Sequence, residues 1–132
     1  MNCSGVSLHD ARFQKIRIEE DKIIFDFDTL YLIDGEEEIW KSGAIIFEGV
    51  DFDFCDIMLY RESKRGKIKG KRYSFAEFLK KYPEYDFEVV DEGYYGYKVK
   101  WDGVTNYTMK APTYFHISIF HLGDMIFQLD ER

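Results

Sequence analysis

The chain has 132 residues, 45% of them hydrophobic and 18% aromatic, which predicts one globular domain over residues 1–132 with a core of its own. This apolar content excludes a disordered chain, and two prolines are too few for a proline-rich linker. The net charge of −7 disfavours a nucleic-acid partner, because such binding depends on accumulated lysine and arginine.

The first elements follow the two-residue period that places alternate side chains on opposite faces of a β-strand. An opening hairpin is predicted, with a turn at residues 19–22 and an extension over 30–33 into an acidic loop at 34–38. The apolar residues that mark its two strands are Ile16, Ile18, Ile23, Phe25 and Phe27.

A second hairpin is predicted around Gly49, with strands at residues 39–48 and 50–61. In its second strand, Asp51 and Asp53 project from the face opposite to the apolar residues. Further along this strand, apolar residues occupy both faces, which indicates a bulge or a strand that is covered on both sides.

One short helix is predicted at about residues 74–82. Ser74 and Glu77 form a capping box, in which each side chain accepts a hydrogen bond from the other residue's backbone N–H. Pro83 ends the helix because it disfavours helical geometry in the residue before it. The apolar stripe between cap and proline has helical spacing and consists of Phe75, Phe78, Leu79 and Tyr82.

Alternation resumes at residue 85 and predicts strands at 85–89 and 95–101, with the aromatic side chains of the second strand packed in the core. The pair Asp102–Gly103 predicts a tight turn. Three more short strands are predicted, at residues 106–110, 114–122 and 125–129.

About eight to ten strands and one short helix predict a mostly β protein, either an antiparallel β-sandwich or a partly open barrel. A parallel α/β fold is excluded because the chain has too few helices for the crossover connections. The pattern leaves the strand order, the closure of the sheet and the oligomeric state open.

The three histidines do not predict a metal site. His116 and His121 are five residues apart in a predicted strand, and an odd separation puts them on opposite faces. His9 and Asp10 are a weak alternative site, because adjacent side chains usually point apart and a structural role at the chain entry is favoured. We therefore expect no metal and no cofactor.

Catalytic patterns are also missing from the sequence. Asp51 and Asp53, on one exposed face, are expected to be ionised together, which does not suit paired acid–base chemistry. Cys55 lies among apolar residues and is expected to be an inert buried thiol. Neither a nucleophile elbow nor a phosphate-binding loop occurs, so we do not expect an enzyme.

The charge is distributed unevenly, since residues 61–72 carry +6 and leave −13 on the rest of the chain. Within this segment Arg65, Lys67, Lys69 and Lys71 alternate, as residues that line one strand face do. Nucleic-acid binding is disfavoured because the segment lacks the aromatic side chains that stack on bases. A solvated hairpin and a contact with a protein or an acidic ligand stay open as alternatives.

The sequence also predicts a location. Cys3 and Cys55 are the only cysteines, which fits free thiols in a reducing cytosol. The N-terminal residues do not form a secretory signal, and no apolar run approaches the ~20 residues that cross a bilayer. We expect a cytoplasmic protein without membrane contact.

Several short segments form a pattern along the chain. Leu8-His9-Asp10 is followed by Ile16-x-Ile18 and by Ile23-x-Phe25-x-Phe27, and later by Tyr73-Ser74-Phe75-x-Glu77-Phe78 and Gly123-Asp124-Met125-Ile126-Phe127. With these segments the chain resembles small uncharacterised bacterial domains, some of them found among the immunity proteins of polymorphic toxin systems. The resemblance implies a non-enzymatic inhibitor that binds a cognate toxin.

These observations favour a protein-binding module whose acidic surface attracts a basic partner, with a bacterial toxin as the most concrete partner. The expected partner-binding residues are Glu36, Glu37, Glu38, Asp51 and Asp53. The alternative is a small β-barrel that binds an apolar or aromatic ligand in a cavity of several hundred Å³. An enzyme would require a histidine to meet a carboxylate inside a pocket.

Overall fold

In a computed structural model, which describes residues 5–34, 37–63, 65–105 and 113–130, nine antiparallel strands form one sheet. The strands are β1 (Gly5–Glu19), β2 (Lys22–Asp34), β3 (Glu37–Phe47), β4 (Asp56–Glu62), β5 (Ile68–Tyr73), β6 (Phe87–Tyr95), β7 (Lys98–Thr105), β8 (Thr113–Phe120) and β9 (Met125–Leu129). Their order in the sheet is β5-β4-β8-β7-β6-β1-β2-β3-β9. The prediction of a mostly β, antiparallel fold with one short helix is confirmed, and the sheet is not closed into a barrel.

The opening hairpin forms as predicted, since β1 pairs with β2 around a turn in which Glu20 has a φ of 55°. Both strands carry bulges. The β1–β2 register shifts between Ser7 and Arg12, and the β2–β3 register shifts between Phe27 and Leu30. Because a bulge bends its strand and increases the local twist, these shifts curve this half of the sheet.

The sheet curls so far that its two halves pack on each other. Trp101 of β7 lies 4.7 Å from Phe25 of β2 and 5.5 Å from Phe47 of β3, measured between ring centroids. In the sheet β6 and β1 separate β7 from β2, so this contact requires the sheet to fold over itself. Phe13 lies at the centre of the resulting core and is fully buried.

A short hydrogen-bonded chain joins this core to strand β1. The Trp101 indole N–H donates to the Tyr94 hydroxyl over 3.4 Å, and that hydroxyl donates to Glu92 over 2.9 Å. The second carboxylate oxygen of Glu92 accepts the backbone N–H of Leu8 at 2.7 Å. The indole N–H of the fully buried Trp101 thus has a hydrogen-bond acceptor. The same hydrogen bonds connect strands β7, β6 and β1.

The predicted helix is present as α1 (Phe75–Lys81), and its capping box between Ser74 and Glu77 is formed. Phe75 and Phe78 are buried, and Phe78 lies 5.6 Å from Phe87 of β6, so the helix covers one side of the curled sheet. Within the described ranges, no helix has the length and apolar character that a membrane span needs.

The predicted second hairpin is wrong, because β3 pairs with β2 and β9 whereas β4 pairs with β5 and β8. Phe52–Phe54 form a 3-10 turn instead of a strand, and β4 begins only at Asp56. The Asp51 carboxylate accepts the backbone N–H of Asp53 at 3.2 Å and caps this turn. A short aspartate side chain offers the backbone this local alternative to a sheet, so Asp51 and Asp53 do not share a strand face.

The predicted turn at Asp102–Gly103 is also wrong, since both residues lie inside β7. The chain turns instead at Gly96, whose φ of +63° is readily adopted by glycine. Tyr95 and Tyr97, expected in the core, flank this turn and are exposed. The strand predicted at residues 106–110 lies outside the described residues.

Substitution of Gly103 with alanine tests how closely the neighbouring strands pack on this residue. A Cβ atom at this position would lie 1.9 Å from the Glu88 carbonyl oxygen and 2.8 Å from the Phe115 ring, so Gly103→Ala is expected to lower the free energy of unfolding by about 3 kcal/mol or more. Gly96→Ala meets no atom within 4 Å and is expected to cost only about 1 kcal/mol for its positive φ. Urea unfolding measures both, and equal losses would contradict the close strand contact.

Candidate functional site

The structure separates the acidic residues that were expected to act together. Glu37 and Glu38 begin β3 and belong to the strand, where the sequence predicted a loop. Asp51 and Asp53 lie beyond the other end of β3, roughly 30 Å away for a strand of this length. Glu36 lies outside the described residues. Two acidic surfaces therefore replace the one that was expected.

The surface next to Asp51 and Asp53 is apolar, and we name it the Phe54 surface, formed by Phe54, Tyr97, Phe120 and Leu122. Phe54, Leu122 and Tyr97 are 67%, 63% and 58% exposed. The Phe120 ring lies 5.8 Å from Phe54 and 6.3 Å from Tyr97, so these three rings form one continuous patch, and Leu122 follows Phe120 in the chain. Contiguous exposed apolar patches of this kind often mark sites of interaction.

The backbone under the Phe54 surface is held by hydrogen bonds from three segments. Asp51 N–H donates to the Phe120 carbonyl at 3.0 Å, His121 N–H to Tyr97 at 2.9 Å, and Leu122 N–H to Gly49 at 2.9 Å. His121 points inward and its Nδ1 lies 3.0 Å from the Gly123 carbonyl oxygen, so it lies on the opposite face from His116, as predicted. The apolar side chains are thus presented on a fixed backbone.

An acidic rim borders the Phe54 surface. Asp21, Asp51 and Asp53 line an open cleft of about 500 Å³ that also contacts Leu122. On the other margin Lys98 pairs with Phe120 across β7 and β8. The rim therefore adds negative charge to one side of an apolar patch.

Cys55 lies beneath this surface and is buried, as predicted. Its Sγ contacts the Asp51 carbonyl oxygen at 3.1 Å and accepts the backbone N–H of Phe120 at 3.2 Å. Burial raises the pKa of the Cys55 thiol to about 11. Because the thiolate is the reactive form, this raised pKa disfavours nucleophilic chemistry at neutral pH.

At the other end of β3 lies a second patch, the Trp40 surface, formed by Ser7, His9, Asp10, Tyr31 and Trp40 around an open cleft of about 210 Å³. Trp40 is 53% exposed, and its ring lies 4.4 Å from that of Tyr31. A hydrogen bond to Glu38 raises the pKa of the Tyr31 phenol, with further contributions from its desolvation and the Glu38 charge. Glu38 therefore belongs to the border of this surface.

The bulge in β1 pushes His9 and Asp10 outward, while Leu8 and Ala11 on either side are buried. The His9 ring lies 3.1 Å from the Asp10 carboxylate, and both side chains are exposed. Asp10 has a φ of 68°, a conformation that aspartate tolerates better than most residues. The nearby Ser7 hydroxyl accepts the backbone N–H of His9 instead of contacting its ring, so these residues do not form a catalytic triad.

The outer face of the sheet holds one more histidine and carboxylate pair. His116 Nδ1 lies 2.6 Å from an Asp102 carboxylate oxygen across β7 and β8, and both side chains are partly exposed. No three histidine, cysteine, aspartate or glutamate side chains come together as metal ligands in the part of the chain that the structure describes. This pair therefore has no third metal ligand beside it within the described ranges.

Part of the basic segment and the end of the helix form a cleft on the concave face of the sheet. We name it the basic cleft, formed by Arg61, Lys69, Lys71, Tyr73, Lys81 and Tyr82. Arg61, Lys69, Lys71 and both tyrosines line a space of about 370 Å³. Lys69 and Lys71 share one strand face as predicted, whereas Arg65 and Lys67 precede β5. The lysine alternation indicated this face, but Arg61, Lys81 and Tyr82 join it only through strand pairing and helix packing.

Positive charge surrounds the phenol of Tyr73 in this cleft. The Tyr73 and Tyr82 hydroxyls are 3.4 Å apart, and Lys81 Nζ lies 3.5 Å from the Tyr73 hydroxyl. Lys71 Nζ lies 5.1 Å from the centre of the Tyr73 ring. The hydrogen bond with Tyr82 lowers the pKa of Tyr73, and Lys81 lowers it further while burial opposes the change. The cleft therefore favours negative charge.

The Tyr73 phenol is expected to ionise below the value of about 10 that is usual for tyrosine. In a titration followed by ultraviolet absorbance, Tyr73→Phe should remove the part of the curve that rises at the lowest pH. Tyr60→Phe on strand β4 is the control, because desolvation raises the pKa of Tyr60 and its loss affects the alkaline part. A Tyr73→Phe curve unchanged at its lower end would contradict this assignment.

The chain was compared with known protein families, curated proteins and solved structures. No protein-family model, no curated protein and no solved structure matches the chain. The resemblance to immunity proteins accordingly stays a prediction from the sequence.

Proposed function

We propose that the protein is a protein-binding module that docks a basic protein partner on the Phe54 surface. The observation that carries this proposal is the exposure of Phe54, Tyr97 and Leu122, each more than half accessible on a hydrogen-bonded backbone. Aromatic anchors supply much of the energy at protein interfaces when a partner covers them. A fixed backbone reduces the entropy that binding would otherwise cost.

The charge beside the patch defines the partner. Asp21, Asp51 and Asp53 form the rim, and the whole chain carries −7. Opposite potentials on two proteins speed their encounter and orient it. We therefore propose a partner with an apolar centre and lysine or arginine at its border, and an immunity-type inhibitor of a basic toxin is the most concrete form of this proposal.

The geometry gives less support to the alternative, a ligand held inside the sheet. Such a ligand needs an enclosed apolar cavity, whereas the described interior is occupied by packed aromatic rings, among them Phe13, Phe25 and Trp101. An enzyme also receives little support. The pairs His9–Asp10 and His116–Asp102 lie on separate open surfaces in the described chain.

Site-specific photo-crosslinking in the native cells tests the docking surface. A photoreactive phenylalanine analogue at position 54 is expected to capture one basic protein, while the same analogue at position 40 is the matched control on another exposed aromatic side chain. Capture from position 40 alone, or equal capture from both positions, would contradict the assignment to the Phe54 surface.

Binding kinetics with the captured partner separate the apolar and the acidic contributions. Phe54→Ala is expected to weaken binding by about 2 kcal/mol, mainly through faster dissociation, because an aromatic anchor is lost. Asp51→Asn with Asp53→Asn should slow association several-fold and flatten its salt dependence, while the asparagine oxygen keeps the cap of the 3-10 turn.

The control for net charge is Glu37→Gln with Glu38→Gln, which removes two charges at the far end of β3. Its effect on association should be smaller than that of the aspartate pair. Equal effects from the two ends would show that total charge attracts the partner and that the acidic rim has no local role.

The inhibitor form of the proposal predicts a toxin gene beside the gene for this chain. Bacteria that express that toxin are expected to survive when the wild-type chain is co-expressed and to die with the double variant Phe54→Ala, Leu122→Ser. Trp40→Ala should still protect them. A harmless neighbouring product, or full protection by the double variant, would refute the inhibitor form.

A further inference from the structure

We infer that the basic cleft is a binding site for a small ligand with several negative charges, carried by phosphate or carboxylate groups. This site is separate from the Phe54 surface and has the opposite charge. Its cations come from three elements, with Arg61 on β4, Lys69 and Lys71 on β5, and Lys81 on α1.

The strand pairing brings like charges together in the cleft. Arg61 and Lys69 are direct cross-strand partners in the β4–β5 ladder. Like charges directly opposite each other in a sheet are destabilising. A bound anion between the two side chains removes that repulsion, which gives the pairing a physical reason.

Among the residues that the structure describes, the four cations of the cleft have no ion-pair partner. Among the described residues, no carboxylate lies within 4.0 Å of Arg61, Lys69, Lys71 or Lys81, because the ion pairs found involve other residues. Arg72, on the opposite face of the same strand, does have such a partner, with Asp56 at 3.4 Å. In the described structure, the positive charges on the concave face are therefore not neutralised by a paired carboxylate, whereas the charge of Arg72 on the opposite face is.

The size and the hydroxyl groups of the cleft define the class of ligand. A space of about 370 Å³ fits a small molecule. Tyr73 and Tyr82 place two hydroxyl groups 3.4 Å apart beside the Lys81 ammonium, and hydroxyl and ammonium groups both bind anionic oxygens. A long polyanion is disfavoured because the rest of the chain carries −13 and would repel it.

Calorimetric titration of the full chain with inorganic pyrophosphate and with citrate, at constant ionic strength, tests the site. Saturable binding of pyrophosphate alone would identify phosphate as the ligand chemistry, and binding of citrate alone would identify carboxylate. Lys71→Gln and Arg61→Gln are each expected to weaken the bound probe at least about tenfold, since each removes a charge-assisted contact.

Arg72→Gln is the matched control, because it removes one positive charge from the same strand on the opposite face. It should leave the affinity within about twofold of the wild type, since its charge is already paired and screened by solvent. Phe54→Ala should also leave anion binding unchanged, so a failure here is independent of the protein-binding proposal.

Three results would overturn the inference. The first is that neither probe binds saturably to the wild-type chain. The second is that Arg72→Gln weakens binding as much as Lys71→Gln does, which would point to a diffuse charge effect. The third is that a single-stranded oligonucleotide binds more tightly than either small anion.

Discussion

The packing of Trp101 against Phe25 is the contact on which the shape of the molecule depends. It joins strands that β6 and β1 separate in the sheet, and together with the contacts of Trp101 to Phe47 and Phe13 it holds the sheet curled. Burying each of these large side chains contributes on the order of 2–3 kcal/mol. The indole N–H, the Tyr94 hydroxyl and the Glu92 carboxylate then attach the same region to β1.

This curl determines where recognition can take place. With aromatic rings filling the described interior, the residues available to a ligand or partner lie at the margins of the curled sheet. The Phe54 surface forms where the β6–β7 turn meets the 3-10 turn, and the basic cleft forms where β5 meets the helix. One margin combines apolar side chains with acids, and the other combines phenols with lysine and arginine, so the two do not compete for the same ligand.

Local patterns predicted the elements that local chemistry controls. The hairpin of β1 and β2 and the capping box of α1 are examples, because each depends on residues close together in the chain. The alternation of Asp51 and Asp53 with phenylalanines is typical of a strand. Only the hydrogen bond from the Asp53 N–H to the Asp51 carboxylate shows that this segment is a turn. The pair Asp102–Gly103 is typical of a turn, but the glycine is required because the Glu88 carbonyl of the paired strand β6 approaches it closely, and the local pattern does not show this contact.

The candidate sites show the same division. Charge alone indicated Asp51, Asp53 and the lysines of β5, but alternation predicted a buried face for Phe54 and Tyr97, which the structure exposes. Their exposed positions depend on three segments that are distant in the sequence and meet at this surface. No local pattern shows that these segments meet. Arg61 enters the basic cleft through its pairing with Lys69 in the β4–β5 ladder, which the sequence likewise does not specify.

The two free edges of the described sheet differ in how they behave toward other copies of the chain. Edge strand β5 carries lysine and arginine, which resist the addition of a further strand, whereas β9 presents partly exposed Ile126 and Phe127 without a basic residue. Resistance to aggregation is therefore unequal across the molecule. In concentrated or heated solution, self-association should begin at β9, and the charged edge limits its continuation into long ordered stacks.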